Sequence, residues 1–211
     1  MSKLSENWYE NFTPSGVEPT PQQQEYSVEQ RQTLLRIAHH AILSALEGGP
    51  AVEAPSSPPL LEARGVFTTL YLPRAGGHRE LRGCVGYAIP VAPLYRAVAE
   101  TARAAAFDDS RFPPVTLDEA RRLEVSLSVL SRLVPIAPEA VEVGRHGLLI
   151  SLANHRGLLL PQVPVEHGWD RKTFLEQTCR KAGLPLDAHE TAVIEAFTAE
   201  VFGDYDSDFS S

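Results

Sequence analysis

Apolar and polar residues alternate along the chain with two different periods, and the change of period marks where helices give way to strands. From Leu34 to Ala45 the apolar residues recur at helical spacing. Ser27 and Gln30 precede this stretch with the spacing of a capping box, and Gly48 follows it as a helix terminator. The pattern therefore predicts a first helix over residues 28–47.

Several later stretches have the alternation and the β-branched composition of strands. They lie at residues 65–73, 80–88, 123–133 and 147–161. The first two flank the turn residues 75–77 and predict a β-hairpin, and the last predicts a second hairpin that turns at residues 154–157. Residues 192–202 fit a helix or a strand by periodicity, and their Val, Ile, Phe and Thr content favours a strand.

Two more helices are predicted between these strands. Pro93 suits the first position of a helix that continues through Ala106. Asp170 suits the N-cap of a helix that runs to Ala182 and ends at Gly183. Because strands come in hairpins with helices between the groups, we expect an α+β fold, with a mainly antiparallel β-sheet flanked by helices.

The two ends of the chain lack the apolar residues that a packed element needs. Residues 1–26 hold three prolines, three consecutive glutamines and few large aliphatic side chains, so we expect a flexible N-terminal tail there. We expect one domain over residues 27–205 and a short C-terminal tail over residues 206–211.

Composition and charge narrow the classes of function. The 211 residues carry a formal net charge of -8, which argues against the clustered Lys and Arg of a nucleic-acid-binding surface. No stretch approaches the ~20 consecutive apolar residues of a membrane-spanning helix, and the N-terminus lacks the apolar core of a secretion signal. We expect a cytoplasmic protein that binds neither nucleic acid nor membrane.

The densest group of unusual residues is the sequence LRGCVG at positions 81–86. Alternation along a regular strand would place Arg82 and Cys84 on one face, opposite Leu81, Val85 and Tyr87. A guanidinium within ~6 Å of a thiol favours the thiolate, which is the nucleophilic form of cysteine. The alternative interpretation is a buried structural cysteine in a strand that its glycines bend into a bulge. Both interpretations are open on the sequence alone.

A nucleophilic cysteine also needs a base within hydrogen-bond reach. His146 lies in the turn-like sequence GRHG and is the first candidate, and His155 and His167 are further ones. Each of them is equally compatible with a surface or a structural histidine. Cys179 lies on the apolar face of its predicted helix, where we expect it to pack.

Several well-known motifs are missing from the sequence. It contains no Walker A sequence, no G-x-G-x-x-G, no H-E-x-x-H, no G-x-S-x-G and no C-x-x-C, which argues against a nucleotide-binding fold, a zincin and an α/β-hydrolase. No His, Cys and carboxylate residues stand at a recognisable ligand spacing. We therefore expect no metal and no cofactor.

The sequence LRGCVG resembles the LRGCIG hallmark of the AMME-syndrome chromosomal-region protein family, whose bacterial members are called AmmeMemoRadiSam system protein A. Further blocks resemble the family in order, and the resemblance covers residues 28–202. They are GVFTTL, SRFPPV, SVLS, GRHGLLI, GLLLPQVPVEHGWD and FLEQTCRKAGL. The chain differs from the family at Asp108 and Ser110, where Arg and Pro are more usual, and at Val85, where Ile is.

The resemblance implies an α+β domain of two unequal lobes with the hallmark beside a cleft. It also implies an association with a Memo-type protein and a radical-SAM enzyme. The residues that it marks as functional, and that we expect to converge on one surface, are Arg82, Gly83, Cys84, Gly86, Arg111, His146 and Gln162.

Two hypotheses about function follow. The first is an accessory or ligand-binding component of that pathway, in which Gly83, Gly86, Arg111 and Gln162 contact a small molecule. The alternative is an enzyme in which Cys84 is a nucleophile or covalent carrier, Arg82 lowers the pKa of its thiol and His146 moves a proton.

Overall fold

A computed structural model of the protein describes residues 25–206. Within them the helices are α1 (Val28–Glu47), α2 (Pro58–Leu61), α3 (Leu94–Phe107), α4 (Leu117–Ala120), α5 (Gln162–Glu166) and α6 (Arg171–Lys181). Short 3-10 turns occupy Pro138–Ala140 and Leu186–Glu190. None of the helices in this part of the chain is long and apolar enough to cross a membrane.

The strands of residues 25–206 form two antiparallel sheets. They are β1 (Val66–Pro73), β2 (Arg79–Tyr87), β3 (Glu124–Leu130), β4 (Val134–Pro135), β5 (Gly147–Leu152), β6 (His155–Leu159), β7 (Val193–Phe197) and β8 (Ala199–Gly203). The first sheet has the strand order β2-β1-β3-β8, and the second has the order β4-β7-β5-β6. The expected α+β class with antiparallel pairing is confirmed.

The stretch predicted as a single strand over residues 192–202 consists of two strands in different sheets. β7 pairs with β5 in the second sheet, and β8 pairs with β3 in the first. Thr198 lies between them, where its N–H donates to Ser131 Oγ and its carbonyl accepts the Ser131 N–H. Periodicity indicated the extended backbone, but it could not show that the chain changes sheets at one residue.

Each sheet has its own hydrophobic cluster. α1 and α3 pack on one face of the first sheet, where the core includes Leu34, Leu70, Val98 and Leu127. α6 packs on the second sheet around Phe174, Leu148, Ile150 and Ile194. The first cluster is the larger. The division into two lobes with a cleft stays a prediction.

The ends of the long helices follow the sequence signals. α1 has the predicted bounds, because Ser27 and Gln30 form the capping box and Gly48 adopts φ 71° after the last turn. The N-cap of α6 is Asp170, whose carboxylate accepts the Thr173 N–H. Helix α3 begins directly after Pro93, one position later than expected.

The predicted tail boundary at residue 26 is wrong by at least two residues. Tyr26 is buried, and the backbone N–H groups of Glu25 and Tyr26 both donate to the Glu200 carboxylate. The same carboxylate forms a buried ion pair with Arg31 in α1. At the other end, Asp206 bonds back to Gly203. Residues 1–24 and 207–211 of the predicted tails lie outside the described residues.

Candidate functional site

Strand β2, which carries the hallmark, is irregular. Thr69 lies opposite Cys84 and Leu70 opposite Gly83, but Tyr71 lies opposite Leu81, so Arg82 is the extra residue of a β-bulge. The expected alternation is therefore wrong at Leu81, which shares the face of Cys84. An inserted residue reverses the faces of the residues on one side of it.

Cys84 lies on the side of the first sheet that faces away from α1 and α3. We call this side the outer face and define it by Thr69, Tyr71, Cys84, Ser126 and Arg79. The Cys84 thiol lies 3.1 Å from Thr69 Oγ1, and Ser126 Oγ lies 3.0 Å from the hydroxyl of Tyr205, a residue that follows β8. Cys84 is 5% exposed.

Arg79 brings a cation to the outer face. Its guanidinium carbon lies 3.8 Å from the ring centre of Tyr205 and 5.2 Å from that of Tyr71. Burial raises the pKa of the Tyr71 hydroxyl to about 12; the charges of Tyr205 and Cys84 also raise it, and Arg79 lowers it. Tyr71, Cys84, Tyr205 and Arg79 thus form one electrostatically connected group.

Arg82, which we expected to act on the thiol, holds the loop of residues 108–116. It is buried, and Nε and Nη2 donate to Glu119 at 3.0 and 3.2 Å. Nη2 also donates to the Pro113 carbonyl at 2.8 Å. Hydrogen bonds from Arg82 and Thr116 lower the pKa of Glu119 to about 2, against a smaller opposing effect of burial. The guanidinium thereby fixes the loop to strand β2.

The 108–116 loop also covers the edge of β2. The Cys84 N–H donates to Asp109 Oδ2 at 2.9 Å, and Arg111 grips the same carboxylate through its backbone N–H, Nε and Nη2. Burial raises the pKa of Asp109, but the hydrogen bonds from Arg111 and Cys84 outweigh it and leave that pKa below its ordinary value. The structure thus brings Arg82, Cys84 and Arg111 together around one loop.

Gly83 and Gly86 have packing reasons for lacking a side chain. A Cβ on Gly83 would lie 2.1 Å from the Ala105 carbonyl oxygen in α3. A Cβ on Gly86 would lie 2.3 Å from the ring of Phe67. Both glycines allow neighbouring groups to approach the strand, so close packing alone accounts for them. Ligand contact at these two positions stays a prediction.

His146 and Gln162 belong to the second sheet and its surroundings. His146 directly precedes β5, and its Nδ1 accepts the Glu142 N–H at 3.1 Å. Burial lowers the pKa of His146, and Arg145 lowers it further, while Glu142 raises it. Gln162 is the first residue of α5. The Arg82, Cys84 and Arg111 group is built from the first sheet, so the pairing of His146 with Cys84 stays a prediction.

The remaining candidates have structural surroundings. Cys179 is fully buried in the second core, and burial raises the pKa of its thiol. His155 Nδ1 lies 3.3 Å from the Ala182 carbonyl oxygen, and His167 stacks on Trp169 at 4.7 Å. Among residues 25–206 no three His, Cys, Asp or Glu side chains are grouped so that they could hold a metal ion.

Thr69, Tyr71, Arg79 and Asp109 are members of the site that the sequence analysis missed. The first two had a usable signal, because pairing the strands of the predicted hairpin brings residues 67–71 opposite the hallmark. Arg79 lies beyond the bulge, where a regular register would have assigned the wrong face. Asp109 lies in a loop, and no local pattern links it to the Cys84 N–H that it accepts.

Most of the chain matches one family of known proteins. The AMMECR1 family model matches residues 35–202. A Thermococcus gammatolerans protein is 44% identical over 179 residues, which cover 80% of this chain and 87% of that protein. Pyrococcus horikoshii protein PH0010 is likewise 44% identical over 179 residues, with the same coverage.

A solved structure has the same fold. The crystal structure of uncharacterized protein PH0010 from Pyrococcus horikoshii matches with a TM-score of 0.64 and 43% sequence identity. The match covers 82% of this chain and 90% of that one. The mixed fold with two antiparallel sheets therefore has an experimental counterpart.

Proposed function

Because the chain belongs to the AMMECR1 family, we propose that it is a ligand-binding component that uses the outer face of its first sheet to recognise a small molecule. We propose further that it serves as a cytoplasmic accessory protein in a pathway with a Memo-type protein and a radical-SAM enzyme. The family resemblance supports the pathway, and the outer face supports the ligand.

The observation that carries the proposal is the chemistry of the outer face. Thr69 with Cys84, and Ser126 with Tyr205, form two hydrogen-bonded pairs on a sheet whose opposite face is an apolar core. A few polar groups on an otherwise packed sheet supply the donors and acceptors that orient a small ligand. The contacts of Arg82 with Glu119 and with the Pro113 carbonyl fix strand β2 to the 108–116 loop.

Binding fits the surroundings of Cys84 better than nucleophilic catalysis does. The thiol is 5% exposed and lies within hydrogen-bond distance of the Thr69 hydroxyl, which is a poor base. The carboxylate of Asp109 accepts N–H donors from Arg111 and Cys84, and its pKa is lowered. A carboxylate that is already hydrogen-bonded and readily ionised is a weak proton acceptor.

The alternative of an enzyme has one observation in its favour. Arg79 and Tyr71 share the face of Cys84, so a cation and a phenol accompany the thiol. This arrangement supports Cys84 as nucleophile or covalent carrier if a ligand supplies a base. Alkylation of the thiol separates the two proposals.

The first experiment measures the alkylation rate of Cys84 at pH 7 by peptide mass mapping, with the fully buried Cys179 as internal control. We expect Cys84 to react more slowly than free glutathione, because burial restricts access. Fast alkylation with a stoichiometric burst would overturn the binding proposal in favour of the enzyme.

The second experiment looks for the ligand itself. The protein is incubated with a small-molecule cell extract, desalted and examined by native mass spectrometry. We expect a retained mass that is lost when Tyr71→Phe and Ser126→Ala are combined, and that persists in the control Ser151→Ala in β5 of the second sheet. Retention that is equal in all three proteins would contradict the assignment of the outer face.

The pathway is tested separately. We expect the Memo-type protein and the radical-SAM enzyme encoded by the same genome to co-elute with this chain in size-exclusion chromatography, alone or after ligand is added. Independent elution under both conditions would refute the association, and would leave the ligand proposal unaffected.

A further inference from the structure

Arg79 differs from the other arginines near the hallmark in having no acidic partner. Arg74 pairs with Glu80, Arg82 with Glu119 and Arg111 with Asp109. Arg79 forms no ion pair with any carboxylate of residues 25–206, and its described contacts are the rings of Tyr71 and Tyr205. A half-buried guanidinium that contacts aromatic rings and forms no ion pair is available to an oxyanion acceptor.

One nitrogen of this guanidinium lacks a hydrogen-bond partner. Nη1 of Arg79 is inaccessible to solvent and bonds to no group of the described chain. An unpaired buried donor is costly, and the cost is larger when the group is charged. The two tyrosine rings hold the guanidinium plane, so little side-chain freedom is lost when an acceptor binds.

The groups around Arg79 are rich in donors. The Tyr71 hydroxyl forms no hydrogen bond within residues 25–206 and is free to donate. The pair of Ser126 and Tyr205 shares one hydrogen, which leaves a second O–H to donate. A ligand that accepts several hydrogen bonds and carries negative charge fits this set.

We propose that the outer face binds an oxyanion, a carboxylate or a phosphate group of a small organic molecule, with Arg79 as its anchor. This inference rests on the proposed function and names its ligand class. The chain carries a net charge of -8, so the surroundings do not attract anions in general, and binding depends on the local cation.

Glu124 limits the class of ligand further. It lies opposite Tyr71 in the ladder, and its Oε2 is buried without a partner. A carboxylate repels an oxyanion and accepts a hydrogen bond from a hydroxyl or an ammonium group. The site therefore favours an anion whose other end carries a donor, such as a hydroxy acid, an amino acid or a sugar phosphate.

The test is a titration followed by amide NMR, with inorganic phosphate and acetate as probes and sodium chloride of equal ionic strength as the blank. We expect saturable shifts of the Tyr71, Cys84 and Tyr205 amides in the wild type. Arg79→Gln should weaken binding at least tenfold, and Arg79→Lys, which keeps the charge, should recover part of it. Arg74→Gln, which removes an exposed charge from the same hairpin, should bind as the wild type does.

The two probes distinguish the sources of the anion. Tighter binding of phosphate indicates a phosphate ester, and tighter binding of acetate indicates an organic acid. Shifts that follow ionic strength alone, or that are equal in Arg79→Gln, would overturn the inference, provided that circular dichroism shows this variant folded. A neutral molecule retained in native mass spectrometry would refute the oxyanion while the proposed function stands. Saturable phosphate binding together with a burst of Cys84 alkylation would refute the proposed function, while the oxyanion site would stand.

Discussion

The hairpin of β1 and β2 and the hairpin of β5 and β6 each place a glycine against a helix, but only the first contains a bulge. β5 and β6 pair without a shift of register from Leu148 to Leu152, and the outer strand β6 packs against α6. β2 has Arg82 as an inserted residue, and a charged loop covers its outer edge.

The difference separates packing from recognition. In both hairpins a missing Cβ admits neighbouring backbone, that of Ala105 in α3 at Gly83 and that of Ala182, the C-cap of α6, at Gly157. Within residues 25–206, the β5–β6 hairpin has no buried ion pair. The β1–β2 hairpin has the ion pair of Arg82 with Glu119 and the polar outer face. A bulge redirects side chains and ends regular pairing, which is why bulges occur next to functional sites.

The largest expected effect concerns the glycine that each hairpin packs against neighbouring backbone. Gly83→Ala would place a Cβ 2.1 Å from the backbone of α3, and Gly157→Ala would place one 2.3 Å from the backbone of the α6 C-cap. Overpacking of this kind costs about 3 kcal/mol, which lowers the melting temperature of a chain of this size by roughly 6–12 °C. Differential scanning calorimetry measures the change.

Gly48→Ala is the control for this pair, since its Cβ would meet open space and only its φ of 71° strains the backbone. We expect it to cost about 1 kcal/mol. If Gly83→Ala were no more destabilising than this control, α3 would not pack as closely on β2 as the structure shows. In addition, Gly83→Ala should impair ligand retention and Gly157→Ala should not, because only the first lies in the strand of the site.

The second effect concerns the ion pair that the regular hairpin lacks. Glu119→Gln should destabilise the protein by about 2 kcal/mol at pH 7, because the pair with buried Arg82 is weakened. The folded-state pKa is depressed to about 2, so this contribution is fully present above about pH 5 and is lost as the pH falls towards 2. Urea unfolding of both proteins between pH 2 and pH 7 measures it.

A neighbouring exposed pair serves as the control. Asp118→Asn removes the partner of Arg122 on the same short helix, and both side chains are exposed. We expect a change within about 0.5 kcal/mol. A Glu119→Gln effect that is as small, or that is the same at pH 2 and pH 7, would show that Arg82 does not depend on this carboxylate.

The smallest effect tests whether the two sheets share one site. His146 should titrate below its ordinary pKa, because burial disfavours the imidazolium and protonation of Nδ1 breaks the bond from the Glu142 N–H. Glu142→Gln should lower this pKa further, because it removes a negative charge. NMR titration of the imidazole measures both values.

Cys84→Ser completes this test. If His146 and Cys84 belong to separate regions, the pKa of His146 stays unchanged in this variant. A shifted pKa would instead couple His146 to Cys84 and restore the hypothesis of a nucleophile with its base.

Sequence reasoning succeeded where local rules decide the structure. The bounds of α1 follow from its capping box and from Gly48, and the first hairpin from its turn residues. It misplaced the second turn, expected at residues 154–157, because Gly157 is needed in the strand against α6. The chain turns instead at Ala153, whose φ is 54°, and Asn154.

The site was predicted only in part, because local rules do not decide most of its contacts. The motif identified Arg82, Cys84 and Arg111, but the role of each depends on contacts between distant segments. A bulge moved Leu81 to the face of Cys84, and the guanidinium of Arg82 turned to Glu119, 37 residues away. The glycines of the motif left a bulge open as an interpretation, but no local pattern shows which residue is inserted, because both registers satisfy the same hydrogen-bonding rules.

Asp109 on the Cys84 N–H has a consequence for solubility. β2 is an edge strand, and an unpaired row of N–H and C=O groups at an edge can template pairing with another molecule. The 108–116 loop places a charged carboxylate and Arg111 in the path of an incoming strand. The segment that holds the site in shape therefore also guards the protein against aggregation, and changes that loosen this loop would expose the edge.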